Sequence, residues 1–139
     1  MSARERTGQR DLTYSAWHRQ ENTRRYLGNR RAFELGMIDM DGVEWCRHCR
    51  TPLALIETQR SDGPPKSAAV TAELASMAQI TAYSVSYTDN GEGCGGIHLF
   101  RVRRVFPAEA KVRDLTPDEY AEWLWSFRER HACRATEAA

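Results

Sequence analysis

Asp41 and Glu57 are two carboxylates that could share one metal ion if the chain between them folds back on itself. In an antiparallel hairpin that turns around Cys49, residue 41 lies opposite residue 57, and side chains in such positions lie about 5 Å apart. Gln59 projects from the same strand face as Glu57, because side chains two apart in a strand share a face. We therefore predict a divalent-metal site made by Asp41 and Glu57, with Gln59 beside it.

The position of Glu57 strengthens this prediction. It ends the apolar run from Leu53 to Ile56, which is typical of a strand covered on both faces. A buried carboxylate without a basic partner is costly unless it binds something, and its neighbours on the same strand face, Leu55 and Gln59, are not cations. The alternative is a solvated carboxylate at the end of a strand, which is the commoner role of any single such residue. The combination of features favours the metal site.

Two cysteines, Cys46 and Cys49, fall at the expected turn of this hairpin. The segment Cys46-Arg-His-Cys49-Arg-Thr-Pro-Leu resembles one knuckle of a zinc ribbon, in which a tight turn directs two thiolates at the metal. A closed zinc site needs four ligands, and the sequence has no second C-x-x-C. Two interpretations stay open: two reduced cysteines on an exposed turn, or a structural Zn²⁺ completed from among Cys94, His98, His48 and Cys133.

Hydrophobic periodicity and turn residues predict the elements that position these side chains. The hairpin runs from about Met37 to Arg60 and ends at Asp62-Gly63-Pro64-Pro65. A final helix begins at a capping box formed by Thr116 and Glu119. Its predicted buried stripe is Tyr120, Trp123, Leu124 and Phe127. Two further helices are predicted: one from Thr13 to about Leu27 that stops at Gly28-Asn29, and one from Lys66 to Ile80 that buries Val70, Leu74, Met77 and Ala78. Two further strands are predicted over Ala82 to Thr88 and Ile97 to Phe106.

The order helix, strand, strand, helix, strand, strand, helix predicts an α/β sandwich built on a mixed sheet. The chain of 139 residues falls within the usual size of one domain. We expect a loose basic arm over residues 1–12, a single domain over 13–131 and a frayed tail over 132–139.

Asp41, a hairpin, and then Pro52-Leu-Ala-Leu-Ile-Glu57-Thr-Gln59 resemble the motif of the PD-(D/E)XK nuclease superfamily. The resemblance implies a restriction-endonuclease-like fold, an αβββαβ-type sandwich with a central mixed sheet flanked by helices. It also implies that Asp41 and Glu57 bind Mg²⁺ or Mn²⁺. With Gln59 they would form the catalytic site of a nuclease that hydrolyses phosphodiester bonds in DNA.

The sequence departs from this motif at two positions. Met40 stands where the family has a proline, and Gln59 stands where it normally has a lysine that helps to activate water. Lys66, at the start of the following helix, could reach the site instead, and the alternative is an ordinary solvated loop lysine. A catalytically inactive module of the same fold, binding nucleic acid or a protein partner and stabilised by zinc, would explain Gln59 directly.

The composition limits the classes of function. No stretch approaches the run of about 20 apolar residues that spans a bilayer, and four cysteines in 139 residues differ from a dense disulfide framework. We expect a cytoplasmic protein of a bacterial cell or a phage-infected host, without a membrane partner. The superfamily often dimerises, which leaves a homodimer open.

Positive charge comes almost wholly from arginine, which binds phosphate bidentately and predicts DNA as the partner. A GC-rich genome would produce the same bias without any function. The arginines that could follow a phosphate backbone are Arg24, Arg25, Arg30, Arg31, Arg101, Arg103 and Arg104.

Overall fold

A computed structural model of the chain describes residues 13–19, 21–92 and 95–134. The chain divides into two compact units, Met1–Asp39 and Met40–Ala139. The predicted basic arm over residues 1–12 lies outside the described residues.

The described residues of the first unit form two helices, α1 (Thr13–Arg19) and α2 (Glu21–Glu34). Gly28 interrupts α2 with a φ of 80°, which glycine adopts without the steric cost that other residues meet. The predicted stop at Gly28 is therefore an interruption, and helical structure resumes as far as Glu34. Within this unit the rings of Trp17 and Tyr26 lie 6.3 Å apart.

The second unit is built on a five-stranded mixed sheet in which the strand order follows the chain order. Strands β2 and β3 are parallel, and the other neighbouring pairs are antiparallel. The strands are β1 (Gly42–Trp45), β2 (Pro52–Arg60), β3 (Thr81–Asp89), β4 (Ile97–Phe106) and β5 (Ala108–Leu115). Helix α3 (Ala69–Ala78) connects the parallel pair, and helix α4 (Pro117–Arg130) follows β5.

The two faces of this sheet hold two separate cores. Ile56 and Val85 face α4, where they pack with Trp123 and Phe127. Their neighbours in sequence point the other way, because side chains alternate between the faces of a strand, and Leu55 packs against Ala75 of α3. The predicted α/β sandwich on a mixed sheet is confirmed, while its assignment to the restriction-endonuclease-like class stays a prediction.

Helix α3 is rotated relative to the prediction. Thr71 and Ala75 are its buried residues, whereas Val70, Leu74 and Met77 are exposed. The predicted stripe was therefore wrong. The small side chain of Ala75 lies against Ala82 and Leu55, which lets the helix approach the sheet closely on a face that the larger apolar residues do not use.

Strand β5 was not predicted, although Ala108, Ala110 and Val112 alternate with charged residues along it. The apolar side of this alternation is made of two alanines and one valine, which is a weaker signal than the large apolar residues of the other strands. Strand β5 is an edge strand whose residues are exposed up to Leu115, and charged side chains are common on such edges. The first hairpin strand also begins at Gly42, five residues later than expected from Met37.

Helix α4 follows the prediction at its start and along its buried stripe. The Oγ1 atom of Thr116 accepts a hydrogen bond from the Glu119 backbone N–H at 3.3 Å, and Glu119 Oε1 accepts one from the Thr116 N–H at 2.9 Å. Trp123 and Phe127 are buried, and Tyr120 and Leu124 pack against the same core. Among the described helices, none has the length and apolar character needed to cross a membrane.

Val85→Ala tests the assignment of the α4-side core. Val85 is 1% exposed, so removal of two methyl groups is expected to lower the free energy of unfolding by about 2 kcal/mol. Val70→Ala is the matched control, because Val70 is 57% exposed and its truncation should change stability by less than about 0.5 kcal/mol. Urea unfolding followed by circular dichroism measures both values, and equal losses would contradict the described packing.

Candidate functional site

The register of the hairpin brings Asp41 to Glu57. Gly42 pairs with Ile56 and Val43 with Leu55, so the next position places Asp41 opposite Glu57. The register predicted from a turn around Cys49 is thereby confirmed. Asp41 also caps the end of this pairing, because its Oδ2 atom accepts a hydrogen bond from the Thr58 backbone N–H at 2.9 Å.

Glu57 is buried on the α3 face of the sheet, with 4% of its surface exposed. The hydroxyl of Thr71 donates a hydrogen bond to its Oε1 atom at 2.7 Å. Thr71 was assigned no role from the sequence. A polar residue among the apolar positions of α3, facing the strand that carries the acid, is the signal that could have identified it.

Lys66 joins the two carboxylates. Its Nζ atom donates a hydrogen bond to Asp41 Oδ2, lies 3.0 Å from Glu57 Oε2 and lies 3.5 Å from the carbonyl oxygen of Thr58. Of the two alternatives for Lys66, contact with the carboxylates is the one observed, and the ordinary solvated loop lysine is wrong. The premise that Glu57 lacks a basic partner was wrong, because the cation comes from the loop before α3 and not from the strand.

Burial and pairing act in opposite directions on these groups. Burial alone would raise the pKa of Asp41, but hydrogen bonds from Lys66 and Thr58 outweigh it and lower that pKa below 3.8. Burial alone would lower the pKa of Lys66, but its contacts with Asp41 and Glu57 raise it above 10.5. Lys66 and Asp41 are therefore both charged at neutral pH.

Two buried oxygens near this ion pair are available to a cation. Among the residues that the structure describes, Glu57 Oε2 is met by Lys66 Nζ alone, at 3.0 Å, and Gln59 Oε1 has no hydrogen-bond donor. Glu57 and Gln59 lie two apart on β2 and share the α3 face. These oxygens, beside an aspartate whose side chain is 27% exposed, form a set that could hold a hard cation.

A second cluster lies at the other end of the same hairpin. Cys46, Cys49, His131 and Cys133 place one potential ligand atom each within 4.8 Å of one another, so the cluster can bind a metal such as zinc. The Sγ atoms of Cys46 and Cys133 are 3.7 Å apart, and Cys49 Sγ lies 3.1 Å from Nε2 of His131. Tetrahedral zinc with bonds of about 2.3 Å to sulfur separates two thiolates by about 3.8 Å.

Local backbone geometry explains how four ligands converge. In the knuckle, the Cys46 N–H donates to the Thr51 carbonyl at 2.8 Å, the Arg50 N–H donates to the Cys46 carbonyl at 2.7 Å, and Arg50 has a positive φ of 65°. Helix α4 ends before His131, whose backbone is extended. In extended backbone, side chains two apart share a side, which suits the pair His131 and Cys133.

The thiol of Cys49 is activated within this cluster. Hydrogen bonds with Thr51 and His131 lower the pKa of Cys49 to about 5. Its thiolate form is the form that binds metal.

One of the four residues predicted as further zinc ligands belongs to the cluster. Cys133 belongs to the cluster, and its side chain is 6% exposed although it lies in the tail that we expected to fray. His131 was missed, although two ligand-type residues two apart at the end of a helix were a usable signal. In the described part of the chain, His48 and His98 are not in the cluster, and Cys94 lies outside the described residues.

The arginines expected to follow DNA are divided between the units. Arg101 is engaged by Asp114 through two contacts of 2.8 and 3.2 Å, and Arg104 lies 3.4 Å from Glu109. Arg103 also lies on β4 in the second unit. The remaining four lie in the first unit, and they are Arg24, Arg25, Arg30 and Arg31.

Comparisons of the chain with protein-family models, with curated proteins and with solved structures found no match.

Asp41→Asn tests the ion pair through its dependence on pH. Because the pKa of Asp41 is lowered in the folded state, its stabilisation is present above pH 3.8 and is lost as the pH falls through the folded value. We expect the variant to lose about 1 kcal/mol of stability at neutral pH and progressively less below pH 3.8. The raised pKa of Lys66 keeps its contribution present below 10.5, so the loss should persist at moderately alkaline pH.

Urea unfolding across this pH range measures the difference between the variant and the wild type. Asp62→Asn is the control, because the Asp62 side chain is 73% exposed, and it should change stability by less than about 0.5 kcal/mol. A loss that is equally large at pH values near 3 and 7 would contradict a charge interaction at Asp41.

Proposed function

We propose that the chain is a divalent-metal-dependent nuclease that hydrolyses phosphodiester bonds in DNA, with Asp41, Glu57 and Lys66 at its active site. One observation supports this proposal above the others: Lys66 reaches both carboxylates from the loop before α3. It supplies the cation that the motif normally has at the position of Gln59. Acid pair and lysine thus occur together on one sheet face, although the sequence separates them.

The carboxylates and their surroundings fit a hard divalent cation such as Mg²⁺ or Mn²⁺. All the available ligand atoms are oxygens. In the described part of the chain, the buried Glu57 Oε2 is met by Lys66 alone, and the buried Gln59 Oε1 has no hydrogen-bond donor. When bound, the ion would lower the pKa of a water molecule and offset the charge that develops on the phosphoryl group. Asp41 and Glu57 would hold it, and Gln59 would offer a neutral oxygen beside them.

Lys66 would act as a positive charge and not as a base, because its contacts raise its pKa and keep the amine protonated. Its side chain is 41% exposed, which leaves it able to turn from the carboxylates towards a phosphate or an attacking water. Thr71 would act as a positioning residue, since its hydrogen bond fixes one oxygen of Glu57 and leaves the other directed at the site.

A second candidate is a catalytically inactive module that binds nucleic acid through the same fold. Gln59 favours it, because an amide cannot replace the charge of a lysine. In that case Lys66 would neutralise a buried acid and have no catalytic role. The two candidates differ in whether any DNA is cleaved, so a cleavage assay separates them.

We also propose that Cys46, Cys49, His131 and Cys133 hold one structural Zn²⁺. Three thiolates and one imidazole form a closed tetrahedral set. Such an ion would attach the turn of the hairpin to the end of α4 and would stabilise the register that pairs Asp41 with Glu57.

Cleavage of supercoiled and linear DNA in the presence of Mg²⁺ or Mn²⁺ tests the proposed activity. We expect Asp41→Asn and Glu57→Gln to lower the cleavage rate by about 100-fold or more, because each removes a charged ligand. Lys66→Gln should lower it by a similar factor, and should tighten Mn²⁺ binding in calorimetry because the competing cation is gone.

Two charge-matched variants serve as controls for this assay. Asp114→Asn and Arg60→Gln each remove a charge from an exposed ion pair, and we expect cleavage rates within about twofold of the wild type. Cleavage that survives both carboxylate substitutions would refute the assigned site. DNA binding without cleavage of any form, under either metal, would favour the inactive module.

Metal analysis of protein purified without chelators tests the zinc site. We expect about one zinc ion per chain, lost from Cys133→Ser and His131→Asn but retained in the control variants His98→Asn and His48→Asn. Chelation should lower the free energy of unfolding of the wild type by about 3 kcal/mol. Protein without stoichiometric zinc, or equal loss from all four variants, would rule out this site.

A further inference from the structure

A polar pocket lies between β4, β5 and α4, on the face of the sheet opposite to Glu57. It has a volume of about 300 Å³. Four cations line it: Arg104 of β4, Lys111 and Arg113 of β5, and Arg130 of α4. Glu109 is its one carboxylate, so the lining has a formal net charge of +3.

The strand register explains why these cations converge. Arg113 pairs with Val102, whose side chain belongs to the core under α4, so Arg113 points to the α4 face. Lys111 lies two residues away on β5 and shares that face. Arg130 reaches the pocket from the last turn of α4. Side chains from three elements therefore surround one concavity, and like charges in such an arrangement repel each other unless an anion lies between them.

Backbone carbonyls orient two of the four cations, and three of the four have no acidic partner among the described residues. Arg104 donates from Nε to the Pro107 carbonyl at 2.9 Å, and Arg130 donates from Nε to the Ser126 carbonyl at 3.1 Å. Within the described residues, Lys111, Arg113 and Arg130 do not lie within ion-pair distance of a carboxylate. Elsewhere on the same sheet, Arg60 is paired with Asp89 and Arg101 with Asp114.

We propose that this pocket binds a phosphomonoester, either of a free nucleotide or at the end of a nucleic-acid strand. A phosphomonoester carries close to two negative charges at neutral pH and three acceptor oxygens, which matches several donors converging from different directions. A phosphodiester has one charge and is bound more commonly along an open surface. The volume falls at the lower end of the range for small-molecule sites. This inference does not depend on the proposed hydrolysis, since the pocket and the Asp41 site lie on opposite faces of the sheet.

Equilibrium binding of a short oligonucleotide, labelled at its 3′ end and carrying either a 5′-phosphate or a 5′-hydroxyl, tests the proposal without added divalent metal. We expect the phosphorylated form to bind about tenfold more tightly. The double variant Lys111→Gln/Arg113→Gln should lose this preference. The control Arg60→Gln/Arg101→Gln also removes two positive charges, but from existing ion pairs, and should retain it. Circular dichroism checks that both variants are folded.

Competition with a nucleoside 5′-monophosphate and with inorganic phosphate identifies the source of the phosphate. An unlabelled strand with a 5′-phosphate is the reference competitor. Displacement by the mononucleotide at a concentration similar to that of this strand assigns the pocket to free nucleotides. Displacement by the strand alone assigns the pocket to strand ends. Equal binding of the two oligonucleotides to the wild type would overturn the proposal. So would a loss of preference in the control as large as in the double variant, because the effect would then reflect total charge alone.

Discussion

The pairing register of β1 and β2 is the constraint on which both candidate metal sites depend. Side chains alternate between the faces of a strand, so a shift of one residue in β2 would turn Glu57 from α3 towards α4. The same shift would carry Leu55 and Ile56 into each other's cores. Hydrophobic packing on two faces therefore opposes any other register. It sets the carboxylate pair at one end of the hairpin and leaves the cysteine turn at the other.

Glu57 shows how a stable fold can keep an unfavourable group. Removal of a carboxylate from water costs on the order of several kcal/mol unless charge and hydrogen bonds replace the solvent. Thr71 donates a hydrogen bond to one oxygen of Glu57, and the other oxygen is met by Lys66 alone among the described residues. The Lys66 side chain is 41% exposed, so another cation could take its place at this oxygen. This dependence on one exposed lysine supports a role for Glu57 in binding a cation beyond its role in the fold.

The sequence was informative where one local signal determined the geometry. The centre of the turn and the period of two determined the register at Asp41, and the capping box at Thr116 determined the start of α4. Prediction from the sequence failed where tertiary contacts decided which face of a helix is buried or whether a segment forms a strand. The face of α3 that is buried depends on how closely Ala75 can approach the sheet, which helical periodicity alone does not show. Strand β5 has only a small apolar face, made of Ala108, Ala110 and an exposed Val112, so its place in the sheet depends on backbone pairing with β4 and not on burial of its side chains.

The reach of Lys66 follows from topology more than from local sequence. Because β2 and β3 are parallel, the chain must cross over one face of the sheet to return to the start of β3, and α3 lies on the face that holds Glu57. The loop that begins this crossover consequently starts beside the end of β2, near the acid. A lysine there can contact the same carboxylates as a lysine on the strand at position 59. Its attachment to a loop leaves it freer to move when another cation binds. Gln59 and Lys66 should therefore be interpreted together. A glutamine at position 59 does not leave the site without a positive charge, because Lys66 in the crossover loop supplies one.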